Sequence, residues 1–219
     1  MDMEIWYLGF GSFRIRTEKG IIITDPFNEE VLNLKMPRLE ANIVTISQPD
    51  SLHNRTQAIK GQPFVIDAPG EYEINDINIL GITSDPESKE EQIKNRNTIY
   101  LVHANKICFG HLGQLNHRLA KNSLEELNSP DILFLPLGGE NGLSLKDAIE
   151  ITRQVGAKII LPIHYIKEEG NNPLEKIEVI KRFLKEMGVS PKPEQKLTVT
   201  KNSLLEEKEE IIILEKRVR

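Results

Sequence analysis

The stretch Ile43-Val44-Thr45-Ile46-Ser47-Gln48-Pro49-Asp50-Ser51-Leu52-His53-Asn54 passes from a short β-branched run straight into a polar loop. A run that short, bounded by turn-forming residues, reads as a buried strand and not as a helix. The loop behind it carries an amide, Gln48, a carboxylate, Asp50, and an imidazole, His53. Binding and catalytic groups gather on such loops at strand ends. Similar runs recur in both directions: Ile5 to Leu8, Phe13 to Ile15, Ile21 to Thr24, Phe64 to Ile66 and Ile77 to Ile82. They continue with Thr98 to Val102, Ile107 to Phe109, Ile132 to Leu135, Ile159 to Leu161, Leu197 to Thr200 and Ile211 to Leu214. That is enough strand for two sheets.

Helical signals are fewer and have defined ends. Ser144 caps a predicted helix with Asp147 in its first turn, and Leu145, Ala148, Ile149 and Val155 share one face before Gly156. Pro173 suits a first helical position, and Leu174, Ile177, Ile180, Phe183, Leu184 and Met187 form an apolar stripe ending at Gly188. A shorter helix opens at Ser123, with Glu126 completing a capping box. Helices outside stacked sheets are the economical arrangement, and the length of 219 residues suits a single domain over 1–219. The charged segment from Glu206 to Glu210 reads as a solvated turn before a last strand.

Composition narrows the classes. Apolar residues at 39% and charged residues at 28% describe a globular chain and not a disordered one. No run approaches the ~18 consecutive apolar residues of a membrane helix. The acidic start Met-Asp-Met-Glu lacks the basic opening of a secretory signal, so the sequence predicts a cytoplasmic protein without a membrane partner. The single cysteine, Cys108, excludes an internal disulfide or a thiolate cluster, and it reads as a small buried strand residue. A net charge of −5 argues against a general grip on nucleic acid, though not against a local basic groove.

Four further segments carry groups with chemistry: Asp25 in Thr24-Asp25-Pro26-Phe27, the acidic turn Asp67-Ala68-Pro69-Gly70-Glu71-Tyr72-Glu73, Gly110-His111-Leu112-Gly113-Gln114, and Leu161-Pro162-Ile163-His164-Tyr165. With Leu135-Pro136-Leu137-Gly138-Gly139 and the Ile43 strand, this ordered set resembles the metallo-β-lactamase-fold hydrolases. The likeness is to a small bacterial branch akin to ascorbate-phosphate lactonases, and it runs over nearly the whole chain. It implies an αββα four-layer sandwich of two mixed sheets with helices outside, and a metal site along one edge.

The resemblance also implies what is missing. Active relatives carry His-x-His-x-Asp-His after the fourth strand, because two metal ions need imidazoles and a carboxylate on one short loop. The matching positions here are Gln48, Asp50, Leu52 and His53. The relatives' bridging aspartate corresponds to Gln114, a neutral amide and a poor zinc ligand. A further family histidine would fall near Thr83 to Asp85, where none stands, and the final one is present as His164. The first metal position thus keeps no histidine, and the second keeps His53 and His164 but loses its aspartate to Leu52.

Two outcomes follow for the cleft of Gln48, Asp50, His53, His111, Gln114 and His164. His53, His164 and Asp50 either form a 2-His-1-carboxylate site for one weakly bound zinc or manganese ion, or bond one another and water where a metal once sat. Asp25 matches the family's structural aspartate, which ties down the metal-motif loop. His111 reads as a packed, hydrogen-bonded histidine, His103 and His117 as surface or loop residues, and Lys89 to Lys94 as a solvated loop. Phe10 stands where close relatives often have histidine, and Glu71 and Glu73 have no clear role. Three functions are open: a silent or altered hydrolase-like protein acting by binding a small molecule or a protein, a single-metal hydrolase of a small ester, lactone or phosphate-bearing substrate, and, last, nucleic-acid processing.

Overall fold

The computed structural model describes residues 2–86, 97–137, 142–164, 173–205 and 209–217. The strands are β1 (Met3–Gly9), β2 (Ser12–Arg16), β3 (Ile21–Thr24), β4 (Ile43–Thr45), β5 (Phe64–Ile66), β6 (Gly70–Ile74), β7 (Ile77–Thr83), β8 (Thr98–Ala104), β9 (Ile107–His111), β10 (Ile132–Pro136), β11 (Ile159–Ile163), β12 (Leu197–Val199) and β13 (Glu210–Ile211). The helices are α1 (Glu29–Leu32), α2 (Lys121–Leu127), α3 (Leu145–Val155) and α4 (Pro173–Glu186).

Two mixed sheets form, one in the order β12-β1-β2-β3-β4-β5 and the other β13-β11-β10-β9-β8-β7-β6. Alternation along β1 and β2 sends Met3, Ile5, Tyr7, Phe13 and Ile15 into the space between the sheets, where Phe109 and Phe134 of the second sheet also lie. Phe13 and Phe134 touch edge-on across that space, their centroids 4.6 Å apart. At ~1.5–3 kcal/mol for each large side chain buried, this central layer is the main stabilising term. Helices α2, α3 and α4 cover the outer side of the seven-stranded sheet, with Ala148, Ile151, Val155, Ile180 and Phe183 buried beneath them. The six-stranded sheet is covered more thinly: Leu8, Ile23 and Val44 pack under α1 and its following loop through Phe27, Leu34 and Met36.

Ser144 caps α3 through a bond from the Asp147 N–H to Oγ, and Gly156 ends it in the left-handed conformation at φ 63°. Three expectations need correction. The acidic turn is in large part a strand, β6, whose Glu71 and Glu73 point to solvent while Tyr72 and Ile74 lean on the core. Helix α2 begins before Ser123, which is buried inside it, and Ala120 at its start offers no side-chain cap. The last strand is shorter than the run from Ile211 to Leu214, with Leu214 in an isolated bridge to Glu194 outside it. The segment from Lys89 to Lys94, and residues 206–208 of the charged tail, lie outside the described residues, as do the side chains of Leu174 and Ile177.

Candidate functional site

The parallel pairing of β3 with β4 places Asp25 beside the loop that leaves β4 at Ile46 and Ser47. The Asp25 carboxylate accepts from the Ser47 N–H at 2.7 Å and from Ser47 Oγ at 2.6 Å, both residues being buried. Its own N–H donates to Thr45 O at 2.8 Å, and its φ of 39° is a conformation that Asp tolerates better than most residues. The second sheet grips the same loop: Tyr100 Oη donates to Ile46 O at 2.9 Å, and the Thr98 N–H to Ser47 O at 2.9 Å. Asp25 therefore has the loop-tying role that the resemblance implied.

Beyond that anchor the loop turns through Asp50 and brings His53 into the interior, with no exposed surface. Asp50 Oδ1 lies 2.7 Å from His53 Nδ1 and also accepts from the Leu52 N–H at 2.9 Å. Partial burial pushes the Asp50 carboxyl up, but the bond and charge of His53 and the two N–H groups outweigh it and hold Asp50 below its usual range. In the neutral ring, with Asp50 accepting at Nδ1, that nitrogen carries the hydrogen and Nε2 presents a lone pair. Among the described residues His53 Nε2 finds no hydrogen-bond partner. A carboxylate on the remote ring nitrogen is how metal-bound histidines are commonly oriented.

His164 follows β11 at φ 60°, its N–H donating to Phe10 O at 3.0 Å. The imidazoles of His53 and His164 meet at 5.9 Å between centroids, and Phe10 packs against both, at 5.3 and 4.4 Å. Gly11 is required beside them, since a Cβ there would stand 2.4 Å from His164 Nε2. Leu52, half-buried, joins the apolar cluster of Phe10, Phe27 and Ile46.

The other half of the cleft is filled by hydrogen-bonded neutral groups. Buried Asn97 accepts from the Gln114 N–H at 2.9 Å and donates to Leu112 O at 3.0 Å and Ser84 Oγ at 3.3 Å. Ser84 thus stands in the segment where the resemblance would place a further histidine. Gly113, at φ 61°, lets the loop pass so close that a Cβ would lie 2.3 Å from Asn97 Oδ1 and 2.5 Å from Ser47 Cβ. His111 is fully buried. Its Nε2 donates to Gly11 O at 2.9 Å, so Nδ1 accepts the Gly113 N–H at 3.2 Å. Burial lowers its affinity for a second proton and His53 adds to this, against the pull of Asp25 and Gly11 O.

The structure therefore brings Gln48, Asp50, His53, His111, Gln114 and His164 to the strand ends on one edge, with Gln48 buried and Gln114 half-buried. Asn97 and Ser84 were not singled out from the sequence, because an amide before a strand and a lone serine carry no motif. Elsewhere, His103 is exposed, and His117 lies in the loop between β9 and α2, buried there and bonded to Arg118 O at 3.0 Å. Cys108 is half-buried, not fully so; burial and Asp131 push its thiol up to about 11. No helix among the described residues is long and apolar enough to cross a membrane.

Comparison with known proteins agrees with this geometry. A family model described as the β-lactamase superfamily domain matches residues 4–164. A curated UPF0173 metal-dependent hydrolase from Methanoregula boonei is 32% identical over 66 residues, which is 30% of each chain. A crystal structure of a candidate Zn-dependent hydrolase of the metallo-β-lactamase superfamily from Thermotoga maritima superposes with a TM-score of 0.78 at 27% identity, covering 97% of this chain and 98% of that one. The metallo-β-lactamase fold protein YhfI from Bacillus subtilis shares the fold at 8% identity, with a TM-score of 0.62 over 90% of this chain and 99% of its own. The αββα sandwich expected from the sequence is the fold observed.

Proposed function

The chain belongs to the β-lactamase superfamily, and from that premise we propose that its cleft binds a ligand without performing the metal-dependent hydrolysis named for its relatives. The observation that carries this reading is the pairing of His53 and His164 around Phe10, with Leu52 beside them and Gln114 held by Asn97. Catalytic zinc sites take three protein ligands and keep an open position. Here His53 offers Nε2 and His164 its ring, and Asp50 is committed to His53 Nδ1. Among the described residues no group of three or more His, Cys, Asp or Glu is placed to hold a metal ion. That donor set does not fit a catalytic metal centre, still less a dinuclear one with Gln114 in place of a bridging carboxylate.

The residues left in the cleft favour a small, partly polar ligand. Phe10 and Leu52 give an apolar wall, His53 Nε2 a buried acceptor, and the half-exposed Asp50 a charge at the mouth. Ser47 is not poised as a nucleophile, since its Oγ is buried and donates to Asp25, and His111 has both ring nitrogens engaged within the fold.

A second reading rests on the same His53 Nε2, whose unsatisfied buried lone pair suits a weakly held zinc or manganese ion shared with His164. The two part in an assay of purified protein with lactone, β-lactam and phosphodiester substrates and added zinc or manganese. The binding reading expects no turnover above the uncatalysed rate. Chelator-sensitive turnover that is lost on His53→Ala or His164→Ala would overturn it in favour of a single-metal hydrolase.

A further inference from the structure

The outer face of the six-stranded sheet carries a second cluster. Met3, Ile5 and Tyr7 of β1 enter the core, so alternation turns Glu4 and Trp6 outward. Arg14 and Arg16 of β2 pair with Trp6 and Glu4 in register. The β1–β12 register, carried one residue beyond Ile5 and Leu197, sets Lys196 beside Trp6. The backbone N–H of Arg217 donates to Tyr7 O at 2.8 Å and brings a further cation to the same face.

One indole thus gathers four cations. Arg14 Cζ stands 4.8 Å from the ring centroid, Arg217 Cζ 5.4 Å, Lys196 Nζ 5.7 Å and Arg16 Cζ 5.9 Å. Glu4 answers two of them, pairing with both Arg16 and Lys196. Among the described residues no carboxylate pairs with Arg14. Its burial and the charge of Arg217 both work against its own positive charge. Contact with the indole face returns only part of that cost, since cation–π attraction at exposed sites is ~0.5–1 kcal/mol. A chain of net charge −5 has concentrated positive charge at one place on its surface and, among the described residues, left a half-buried guanidinium there without an acid.

We propose that Arg14, with Arg217 beside it and Trp6 as the floor, forms a binding site for a phosphate group. A guanidinium presents a planar fork of donors that matches phosphate oxygens two at a time. A phosphate monoester carries ~1.5–2 negative charges at neutral pH, so it relieves the repulsion between two guanidiniums more fully than a carboxylate does. The site lies on the sheet face and uses none of the cleft's residues, so it stands whether or not the cleft binds a ligand. Two sources share this chemistry: a free phosphate-bearing metabolite and a phospholipid headgroup.

Trp6 is the only tryptophan of the chain, which makes its fluorescence a reporter at the site itself. Pyrophosphate titrated into the full-length protein at constant ionic strength should change that emission saturably, whereas sodium chloride should not. Arg14→Gln should weaken the response by at least about tenfold, the factor expected for losing one charge-assisted contact. Arg14→Lys, which keeps the charge and the packed stem but not the fork, should fall between. A second arm uses vesicles of phosphatidylcholine with and without phosphatidic acid: cosedimentation dependent on phosphatidic acid and on Arg14 assigns the phosphate to a lipid, and pyrophosphate binding alone assigns it to a soluble ligand. The proposal is overturned if neither probe gives a saturable response, if chloride reproduces it, or if folded Arg14→Gln and Arg14→Lys respond like the parent.

Discussion

Asp25→Ala removes the acceptor for both donors of Ser47 in a place that water does not reach. Each buried donor left unsatisfied costs ~1–3 kcal/mol. Alanine at φ 39° adds ~1–2 kcal/mol of backbone strain that aspartate tolerates more readily. Near the middle of these ranges the sum is about 5 kcal/mol, and at ~2–4 °C per kcal/mol for a chain of this size the melting temperature should fall by about 10–20 °C. Asp25→Asn is the informative companion. Asparagine tolerates the same backbone conformation, its carbonyl can keep the Ser47 N–H, and its amide can donate to Ser47 Oγ once that hydroxyl rotates. Only the charge assistance is then lost, so about half the effect should remain. Thermal melts followed by circular dichroism, with urea titrations for the free energies, measure both. A fall below ~3 °C for Asp25→Ala, or an asparagine variant as damaged as the alanine one, would refute the view that Asp25 holds the loop by two paired hydrogen bonds.

The pH dependence of stability follows from His111. Its folded-state affinity for a second proton is lowered chiefly by burial, so the unfolded chain protonates first; stability is full above pH ~6.5 and is lost as pH falls from there, at up to ~1.4 kcal/mol per pH unit. Urea titrations at descending pH should show this slope in the parent, and a stability flat through that range would count against it. Gly11→Ala should cost ~1–3 kcal/mol, because its Cβ would sit 2.4 Å from His164 Nε2, and melts of the variant should show the loss. Leu52→Asp with Gln114→Asp supplies two carboxylates beside His53 and His164; calorimetry should find close to one zinc per chain for this variant and clearly less for the parent. A folded double variant that gains neither zinc binding nor zinc-dependent stability would mean that the two histidines are not arranged as a metal site.

The sheets were legible because their strands are short, β-branched and closed by turn residues, and parallel or double-sided burial makes such runs continuous, as in Ile132 to Leu135 and Ile159 to Leu161. Strand β6 was hidden because it is an edge: only Tyr72 and Ile74 face the core, and its outward Glu71 and Glu73 mimic a turn. Helix α2 was misplaced by a capping signal at Ser123, whose side chain is buried under the helix it was expected to open. For the cleft, the histidine pair and the replaced positions could be read from motif order. The hydrogen-bond partners could not, since Asn97, Ser84 and the carbonyl of Gly11 meet Gln114 and His111 only through contacts between distant segments. The cations around Trp6 were invisible for the same reason, since β1, β2, β12 and Arg217 come together only in the folded chain.

The most direct test of the central reading is the metal content of tag-free protein, made in zinc- and manganese-supplemented medium and passed through gel filtration, read by elemental analysis. Two imidazoles around Phe10 should retain well under one equivalent of any divalent metal per chain. One or two equivalents held through the column, together with hydrolysis that a chelator abolishes, would contradict the account.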